Sequence, residues 1–487
     1  MIHEGARRLH PCTARRALVV PMMVALVLLL SSASYAIPPT KTWSATPGSG
    51  NWSAAANWVG GVAPVAGDTL VFPASSTTKA MTNDLAAAFD IVSLTFDGNG
   101  YTVSGNSITL GSGISCTTSA APQTNTVSLP IILGATITAN ITAGCDFFLN
   151  GIISGGFGIT KTGSGVLELG GANTFSGIVT VNTGLLVANH NQALGSGDGT
   201  AGTGTNVTQG ASLDVYTSNI ANEALSITGI GNGSNGALYN ATTAIWGGPI
   251  TLTGDAQIGA ANGTFTLNGT ISGPGLLAKV STATLVLTGT ETYTNQTIVS
   301  GGTLLVNGAL PALSSVTVYS GATLGGVGTI PSQILGVSGG SIAPGQSPGT
   351  LNTGTATFNS GSTFKVELNG ATAGTQYDRL NVTGDVVLGG STLSATLGYS
   401  PTPGTSFIII ANDGADAVTG TFAGLAEGAS TVVNGTTMTI SYKGGDGNDV
   451  VLTVAAGVPT LDPMAMVLLG GLLMLLAARR LAAAKMV

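Results

Sequence analysis

An internal repeat with no gaps constrains this chain more than any other feature: the segment 153–189 returns at 271–307, an offset of 118 residues. Lys161 matches Lys279 and Leu167 matches Leu285. Each copy consists of short strand patterns separated by glycines, without a helix pattern. Such a unit cannot bury its apolar side chains alone, so it stacks on neighbouring units. The sequence therefore predicts an all-β fold, a right-handed parallel β-helix (β-solenoid) of roughly 10 to 20 turns and 50 to 100 Å in length.

The first copy also resembles a known family. It contains Gly158-Ile159-Thr160-Lys161, then Gly163 and Gly165, and later Asn173-Thr174-Phe175. This pattern is similar to the autotransporter-associated β-strand repeat of bacterial surface proteins, and residues 155–187 match it closely. The second copy is degenerate, with Ser281, Ala283 and Asn295 in place of glycines. The resemblance extends over most of residues 43–454 and implies a passenger-type domain displayed outside the cell.

The first 36 residues have the pattern of a signal peptide. A basic region with four arginines precedes an apolar run from Ala17 to Leu30, and Ser34-Tyr35-Ala36 is a small-x-small cleavage site. We expect cleavage after Ala36 and export of the chain. The alternative is an uncleaved anchor, but the apolar run is short for a membrane span of about 20 residues.

The exported part is acidic. Residues 37–455 contain seven Lys or Arg and nineteen Asp or Glu. Nucleic acid and anionic lipid are poor partners for such a surface. The glycine content alone could indicate a disordered chain, but apolar residues at strand spacing favour a folded solenoid over disorder. We expect an N-terminal capping region at 37–110, the repeat-bearing solenoid at 111–330 and a C-terminal solenoid region at 331–455.

Two features of the N-terminal half could carry a site. Trp43, Trp52 and Trp58 could form a carbohydrate-stacking platform, although an aromatic plug over the first turn is the preferred interpretation. Cys116 and Cys145 are the two cysteines that remain after cleavage. In an exported protein such a pair favours a disulfide over a metal site or a catalytic thiol, and their spacing is near that of one turn.

A glycine-rich motif near the C-terminus resembles a calcium-binding nonapeptide. It runs from Gly444 to Leu452 and includes Asp446 and Asp449. Calcium sites of this type form between stacked copies, and this chain has one copy. We therefore interpret the motif as a turn before a final strand and keep the two aspartates as a weak calcium candidate. No cofactor is expected.

The last segment, 456–487, resembles an IPTL-type sorting signal, related to the PEP-type signals of exosortase-like enzymes. Val458-Pro459-Thr460-Leu461 precedes an apolar run from Met464 to Ala478, followed by Arg479 and Arg480. Val458 stands where isoleucine is usual in that motif. The pattern predicts a short C-terminal transmembrane helix with the two arginines as its membrane stop. The implied partners are an exosortase-like enzyme and the membrane.

These observations predict a structural or adhesive protein of the cell surface or extracellular matrix, without enzymatic activity. Its expected contacts are extracellular polysaccharide or a host or neighbouring cell surface. The alternative is a polysaccharide-binding or polysaccharide-cleaving β-helix protein. Cleavage needs converging charged side chains, and the densest interior cluster is Asp378, Arg379 and Asp385. His190 has no nucleophile or orienting acid near it in the sequence, so we interpret it as a turn residue.

Overall fold

The computed structural model describes residues 38–117, 123–216, 218–413, 416–456 and 463–483. Strands dominate these ranges. The first group of strands is β1 (Thr40–Thr42), β2 (Asp68–Phe72), β3 (Ala80–Asn83), β4 (Phe89–Phe96), β5 (Thr102–Gly105), β6 (Ile108–Cys116), β7 (Gln123–Val127), β8 (Ile131–Leu133), β9 (Ile137–Ile141), β10 (Cys145–Leu149), β11 (Ile153–Ser154), β12 (Ile159–Thr162), β13 (Val166–Leu169), β14 (Val179–Val181) and β15 (Gly184–Ala188).

The middle group is β16 (Thr205–Val207), β17 (Ala211–Val215), β18 (Asn219–Ile220), β19 (Leu225–Gly229), β20 (Leu238–Asn240), β21 (Ala244–Trp246), β22 (Ile250–Ala260), β23 (Thr264–Leu267), β24 (Ile271–Ser272), β25 (Leu277–Val280), β26 (Thr284–Leu287), β27 (Thr297–Val299), β28 (Gly302–Val306), β29 (Val316–Val318) and β30 (Ala322–Gly326).

The last group is β31 (Thr329–Gly336), β32 (Ser341–Pro344), β33 (Thr350–Phe358), β34 (Thr363–Leu368), β35 (Arg379–Val382), β36 (Val386–Val387), β37 (Thr392–Leu397), β38 (Ser406–Asn412), β39 (Ser430–Val433), β40 (Thr436–Gly444) and β41 (Asp449–Val454). Helix α1 (Pro463–Ala483) follows, and short 3-10 turns lie at Ala55–Asn57 and Asn232–Ser234.

Successive turns pair in parallel and form three columns of strands through the middle of the molecule. Column 1 contains β9, β12, β14, β16, β19 and the start of β22. Column 2 contains β7, β10, β13, β15, β17, β20, the end of β22, β25, β27, β29, β31 and β33. Column 3 contains β18, β21, β23, β26, β28, β30, β32, β34 and β37.

The parallel β-solenoid has about 13 turns, within the predicted range. At about 4.8 Å between paired strands, the stack is roughly 60 Å long. Side chains alternate along each strand, so Leu167 and Leu169 are fully buried while Glu168 between them is half-buried. The inward positions form one continuous apolar core along the axis. Each turn therefore depends on its neighbours for burial, as the repeat pattern predicted.

The two sequence repeats share a local structure but lie on different columns. In each repeat two turns stack, β12 on β14 and β13 on β15 in the first, β25 on β27 and β26 on β28 in the second. Lys161 lies in column 1, whereas Lys279 lies in column 2 opposite Ile258. The intervening turns differ in length: Val179 pairs with Thr205, and Thr205 pairs with Leu225. The second repeat is therefore displaced by one column around the axis.

Each repeat buries one lysine at a corner of the solenoid. The Lys161 Nζ donates to the main-chain carbonyls of Thr162, Gly163 and Thr183 at 2.9, 2.6 and 3.1 Å. The Lys279 Nζ donates in the same way to Val280, Ser281 and Gly301 at 2.7, 2.9 and 3.0 Å. The third acceptor belongs to the next turn, so each ammonium joins two successive corners. Burial lowers the pKa of both lysines to about 8, and they remain charged at neutral pH.

A second buried polar position differs between the repeats. The Asn173 side chain accepts from the Ile153 N–H at 2.8 Å and donates to the Ala193 carbonyl at 2.7 Å, so it joins three turns. The equivalent Glu291 accepts from the Ile271 N–H, but its Oε1 has no hydrogen-bond partner within the described ranges. Burial raises the pKa of Glu291 to about 7. Glu291 therefore bonds to one neighbouring turn, and the contact that Asn173 makes with the following turn has no counterpart among the described residues of the second repeat.

The N-terminal end is closed by the aromatic plug that the sequence favoured. Trp43 and Trp52 are fully buried and Trp58 is 2% exposed. The rings of Trp43 and Trp58 meet edge to face with centroids 5.0 Å apart, and the Trp58 Nε1 donates to the Trp52 carbonyl at 2.8 Å. The tryptophans face the core, so they do not form a carbohydrate platform on the surface.

The C-terminal end departs from the parallel pattern. β38 pairs antiparallel with β41, β41 with β40, and β40 with β39. Asn434 and Gly435 connect β39 and β40, and both have positive φ, the geometry of a two-residue hairpin turn. Parallel pairing between strands of the stack ends at β38, and an isolated parallel bridge joins Val387 and Thr419. An antiparallel hairpin covers the last turn.

The C-terminal tail is described in part. Val458, Pro459, Thr460 and Leu461 lie outside the described residues, as does the signal segment with Ala36. Helix α1 exposes its apolar side chains, among them Val467 and Leu472, and Arg479 and Arg480 near its end are exposed. The sequence predicted a transmembrane helix here, and that prediction is not supported. None of the helices in the described ranges has the length and apolarity needed to cross a membrane.

Candidate functional site

The outer surface of column 3 contains a groove of about 390 Å³. Its floor is formed by outward-facing Leu305, Gly325 and Ala343 on three consecutive strands, where Leu305 lies opposite Gly325 and Gly325 opposite Ala343. The absence of a side chain at Gly325 deepens the floor. A Cβ there would lie 2.6 Å from the Ala343 carbonyl oxygen, so the position does not accept a larger residue.

A row of hydroxyl side chains runs along the same face. Seven consecutive strands of column 3 place a threonine or serine at the same register position. The row is Thr264, Thr284, Thr303, Thr323, Ser341, Thr363 and Thr392. We call it the hydroxyl ladder. Thr303 and Thr323 line the groove itself.

The opposite wall of the groove is the loop between β32 and β33, which contains Gln346 and Ser347. Asp378 holds this loop against the sheet: its Oδ1 accepts from the Gly349 N–H and its Oδ2 from the Glu367 N–H, both at 2.8 Å. Gly345 packs directly on the carboxylate, where a Cβ would lie 2.4 Å from Oδ1, and its φ of +94° also requires glycine. The buried Asp378 side chain therefore holds this wall together with the main-chain hydrogen bonds between Gly345 and Gly326.

One basic and two acidic side chains line the groove. Lys365 is exposed at the rim, and Glu367 accepts a hydrogen bond from the Ser347 hydroxyl at 2.6 Å. Burial raises the pKa of Asp378 to about 6, despite the two N–H donors that oppose the shift. The groove therefore combines an apolar floor, hydroxyl groups and one charge of each sign at its rim.

The charged cluster considered for the enzymatic alternative does not form one site on the groove. Asp378 lines the groove with both oxygens engaged by main-chain N–H groups, so its carboxylate serves to hold the loop. Arg379 is the next residue along the chain and does not line the groove. It lies near Asp449, where its charge opposes the pKa rise that burial causes. The main-chain carbonyl of Asp385 accepts a hydrogen bond from the Ala356 N–H.

The other predicted site residues lie elsewhere. Cys116 at the end of β6 and Cys145 at the start of β10 form a disulfide with a Cα–Cα distance of 6.4 Å. Asp446 is exposed in the turn between β40 and β41, and Asp449 accepts from the Asn412 N–H at 2.9 Å. That turn joins antiparallel strands rather than stacked parallel turns. Within the described ranges no group of three or more acidic, His or Cys side chains could hold a metal ion.

Comparison with known proteins bears on the repeats. Two segments correspond to a known protein family, residues 159–188 and 277–306. Both match the passenger-associated-transport-repeat. In these repeats the matched segments run from β12 to β15 and from β25 to β28, the two-turn units that contain Lys161 and Lys279. The resemblance to autotransporter repeats is therefore confirmed.

Two characterised proteins are similar to parts of the chain. The adhesin BmaC autotransporter of Brucella suis biovar 1 (strain 1330) is 29% identical over 271 residues, which is 56% of this chain and 6% of that protein. The extracellular serine protease of Serratia marcescens is 38% identical over 99 residues, 20% of this chain and 9% of that protein. The chain thus spans less than a tenth of either relative. Passenger-type relatives imply a secreted or cell-surface protein.

Proposed function

We propose that this chain is an adhesin-like protein of the cell surface or extracellular matrix that acts as a rigid spacer and contact surface. The observation that carries the proposal is the pair of passenger-associated-transport-repeats inside one continuous parallel solenoid. A stack of this kind presents regular outer faces over a length of roughly 60 Å. Its partners would be extracellular polysaccharide or the surface of a host or neighbouring cell.

An enzymatic role is the second candidate, and the groove argues against it. Polysaccharide-cleaving sites need converging acid and base groups. Here Asp378 serves as a brace for the loop wall, and Arg379 does not line the groove. The adhesin-like relative covers more of this chain than the protease relative does. A non-enzymatic role therefore has the stronger support.

The tail is proposed to be a sorting signal. Val458-Pro459-Thr460-Leu461 followed by an apolar helix and two arginines is similar to the IPTL-type signals that exosortase-like enzymes process. Mass spectrometry of the mature protein from producing cells would define both termini. We expect Ile37 as the first residue and a C-terminus before Arg479. Recovery of a chain that still contains Lys485 would contradict processing.

The adhesive role can be tested on producing cells. We expect the solenoid to be reached by antibodies and by added protease on intact cells, and we expect deletion of the gene to reduce attachment to glycan-coated or cell-coated surfaces. Retention of the chain inside intact cells, or unchanged attachment after deletion, would contradict the proposal. Complementation with the full chain provides the control.

A further inference from the structure

The hydroxyl ladder has free hydrogen-bonding capacity along its whole length. Some hydroxyls elsewhere in the solenoid bond to main-chain carbonyls, as Thr208 and Thr253 do. None of the seven ladder hydroxyls has a protein hydrogen-bond partner in the described part of the chain. Six steps between seven strands give a row about 29 Å long. A row of unengaged donors and acceptors at constant spacing suits a long polar ligand.

An apolar strip lies beside the ladder. Leu305 and Ala343 are half-buried and face outward in the groove, and Gly325 leaves room between them. The loop with Gln346 and Ser347 forms the far wall. A ligand that contacts this surface therefore meets hydroxyl groups on one side and an apolar floor on the other. Sugar rings combine these properties, since their hydroxyl groups form hydrogen bonds and their C–H faces are apolar.

An extended peptide fits this face poorly. Main-chain groups of column 3 pair with the strands above and below, so the face offers few free N–H or carbonyl groups for an added strand. Side chains on one side of an extended peptide also repeat at about 6.7 Å, whereas the ladder repeats at about 4.8 Å. The ladder spacing is close to the length of one hexopyranose in an extended β-1,4-linked chain.

The charge of the protein further limits the class of ligand that could bind column 3. The exported part carries nineteen acidic and seven basic residues, which disfavours polyanions. The groove is lined by Lys365, Glu367 and Asp378, so its net charge is small and negative, which also disfavours polyanions. We propose that column 3 binds a linear, neutral, β-1,4-linked polysaccharide that lies along the solenoid axis with about one sugar per turn. This inference rests on the proposed adhesive function and names its ligand class.

The test measures binding of the purified full chain to cellohexaose and β-1,4-mannohexaose by calorimetry, with an oligogalacturonate as the anionic comparison. Thr303→Val together with Thr323→Val removes two ladder hydroxyls and keeps the β-branched shape. We expect a loss of about tenfold or more in affinity, because two hydrogen bonds are lost. Ala343→Phe fills the groove from the outer face and should abolish binding.

The matched control is Thr160→Val together with Thr180→Val. These threonines also lie opposite each other on neighbouring turns, but in column 1. Affinity should stay unchanged, as should the melting temperature of all three variants. Three outcomes overturn the inference: neither neutral oligosaccharide binds, the control pair loses affinity as much as the ladder pair, or the oligogalacturonate binds as tightly. If the purified chain binds neither neutral oligosaccharide but the cells still attach, the adhesive function stands and its ligand is a different one. If the solenoid is not exposed on intact cells, the adhesive function is refuted independently of this test.

Discussion

Replacement of Lys161 by methionine tests how the corners of the solenoid are held. Methionine has a similar length and preserves the apolar part of the side chain, but it cannot donate to the carbonyls of Thr162, Gly163 and Thr183. The Gly163 carbonyl also accepts from the Thr183 hydroxyl at 3.2 Å, so the substitution removes the ammonium donor mainly from the carbonyls of Thr162 and Thr183. A carbonyl left without a donor costs about 1–3 kcal/mol. Removal of the buried ammonium returns part of its desolvation cost. The net loss should be about 3 kcal/mol.

The effect should be local, because each turn of a solenoid contacts its neighbours only. Hydrogen exchange followed by mass spectrometry on the full chain reports such local opening. Peptides from β12 to β15 should lose about 100-fold in protection, the factor that corresponds to about 3 kcal/mol. Peptides from β30 to β34 should be unchanged. Lys365→Met, at an exposed lysine, is the control and should leave exchange unaltered throughout.

Lys279→Met should reproduce the effect in β25 to β28, since the Lys279 Nζ has the same three-carbonyl environment. The two lysines lie several turns apart, so their effects should add. Unchanged protection around Lys161, or a loss spread evenly over the molecule, would refute the view that this ammonium joins adjacent corners.

Three further predictions concern stability. Burial raises the pKa of Glu223 and Glu291 to about 7 and that of Asp214 and Asp378 to about 6. The folded state therefore binds these protons more tightly than the unfolded state. The resulting stabilisation of the fold is full below about pH 4 and is lost as the pH rises to about 7, by roughly 1–3 kcal/mol per group. Urea unfolding at pH 5 and pH 8 measures it, Glu291→Asn should reduce the difference, and greater stability at pH 8 would contradict the sign. Cys116→Ser with Cys145→Ser should lower the free energy of unfolding by about 2–4 kcal/mol, and a reductant should then have no further effect. Asp378→Ala should release the loop wall and expose the loop between β32 and β33 to protease without unfolding column 1, whereas an intact loop would exclude the brace.

Much of the fold follows from local sequence patterns. Glycine-separated strands in a repeated unit indicate stacking, and the buried Leu167 and Leu169 lie on the face that alternation assigned to them. The displacement of the second repeat by one column does not follow from the offset, because it depends on the lengths of the intervening turns. The antiparallel pairing at the C-terminal end also has a signal in the sequence. Asn434-Gly435 between two β-rich runs is a strong hairpin pattern.

The groove was harder to foresee. The hydroxyl ladder beside it comes from strands spread over more than a hundred residues, from Thr264 to Thr392. Threonine is abundant in this chain, so the ladder can be recognised only when the strand register is known. The turn-forming residues of Ser341–Leu351 predict a corner of the solenoid. The buried Asp378 that holds this corner is about 30 residues away in sequence. Sequence proximity suggested a cluster of Asp378 and Arg379, whereas strand alternation separates neighbouring side chains.

The most direct test of the parallel stack is a distance between spin labels at Thr264→Cys and Thr392→Cys in the full chain. The two positions are 128 residues apart in sequence and lie at the two ends of the hydroxyl ladder. In-register stacking predicts a narrow distribution centred near 29 Å between the backbones. A broad distribution, or a mean distance well above that value, would contradict the solenoid and the binding face derived from it.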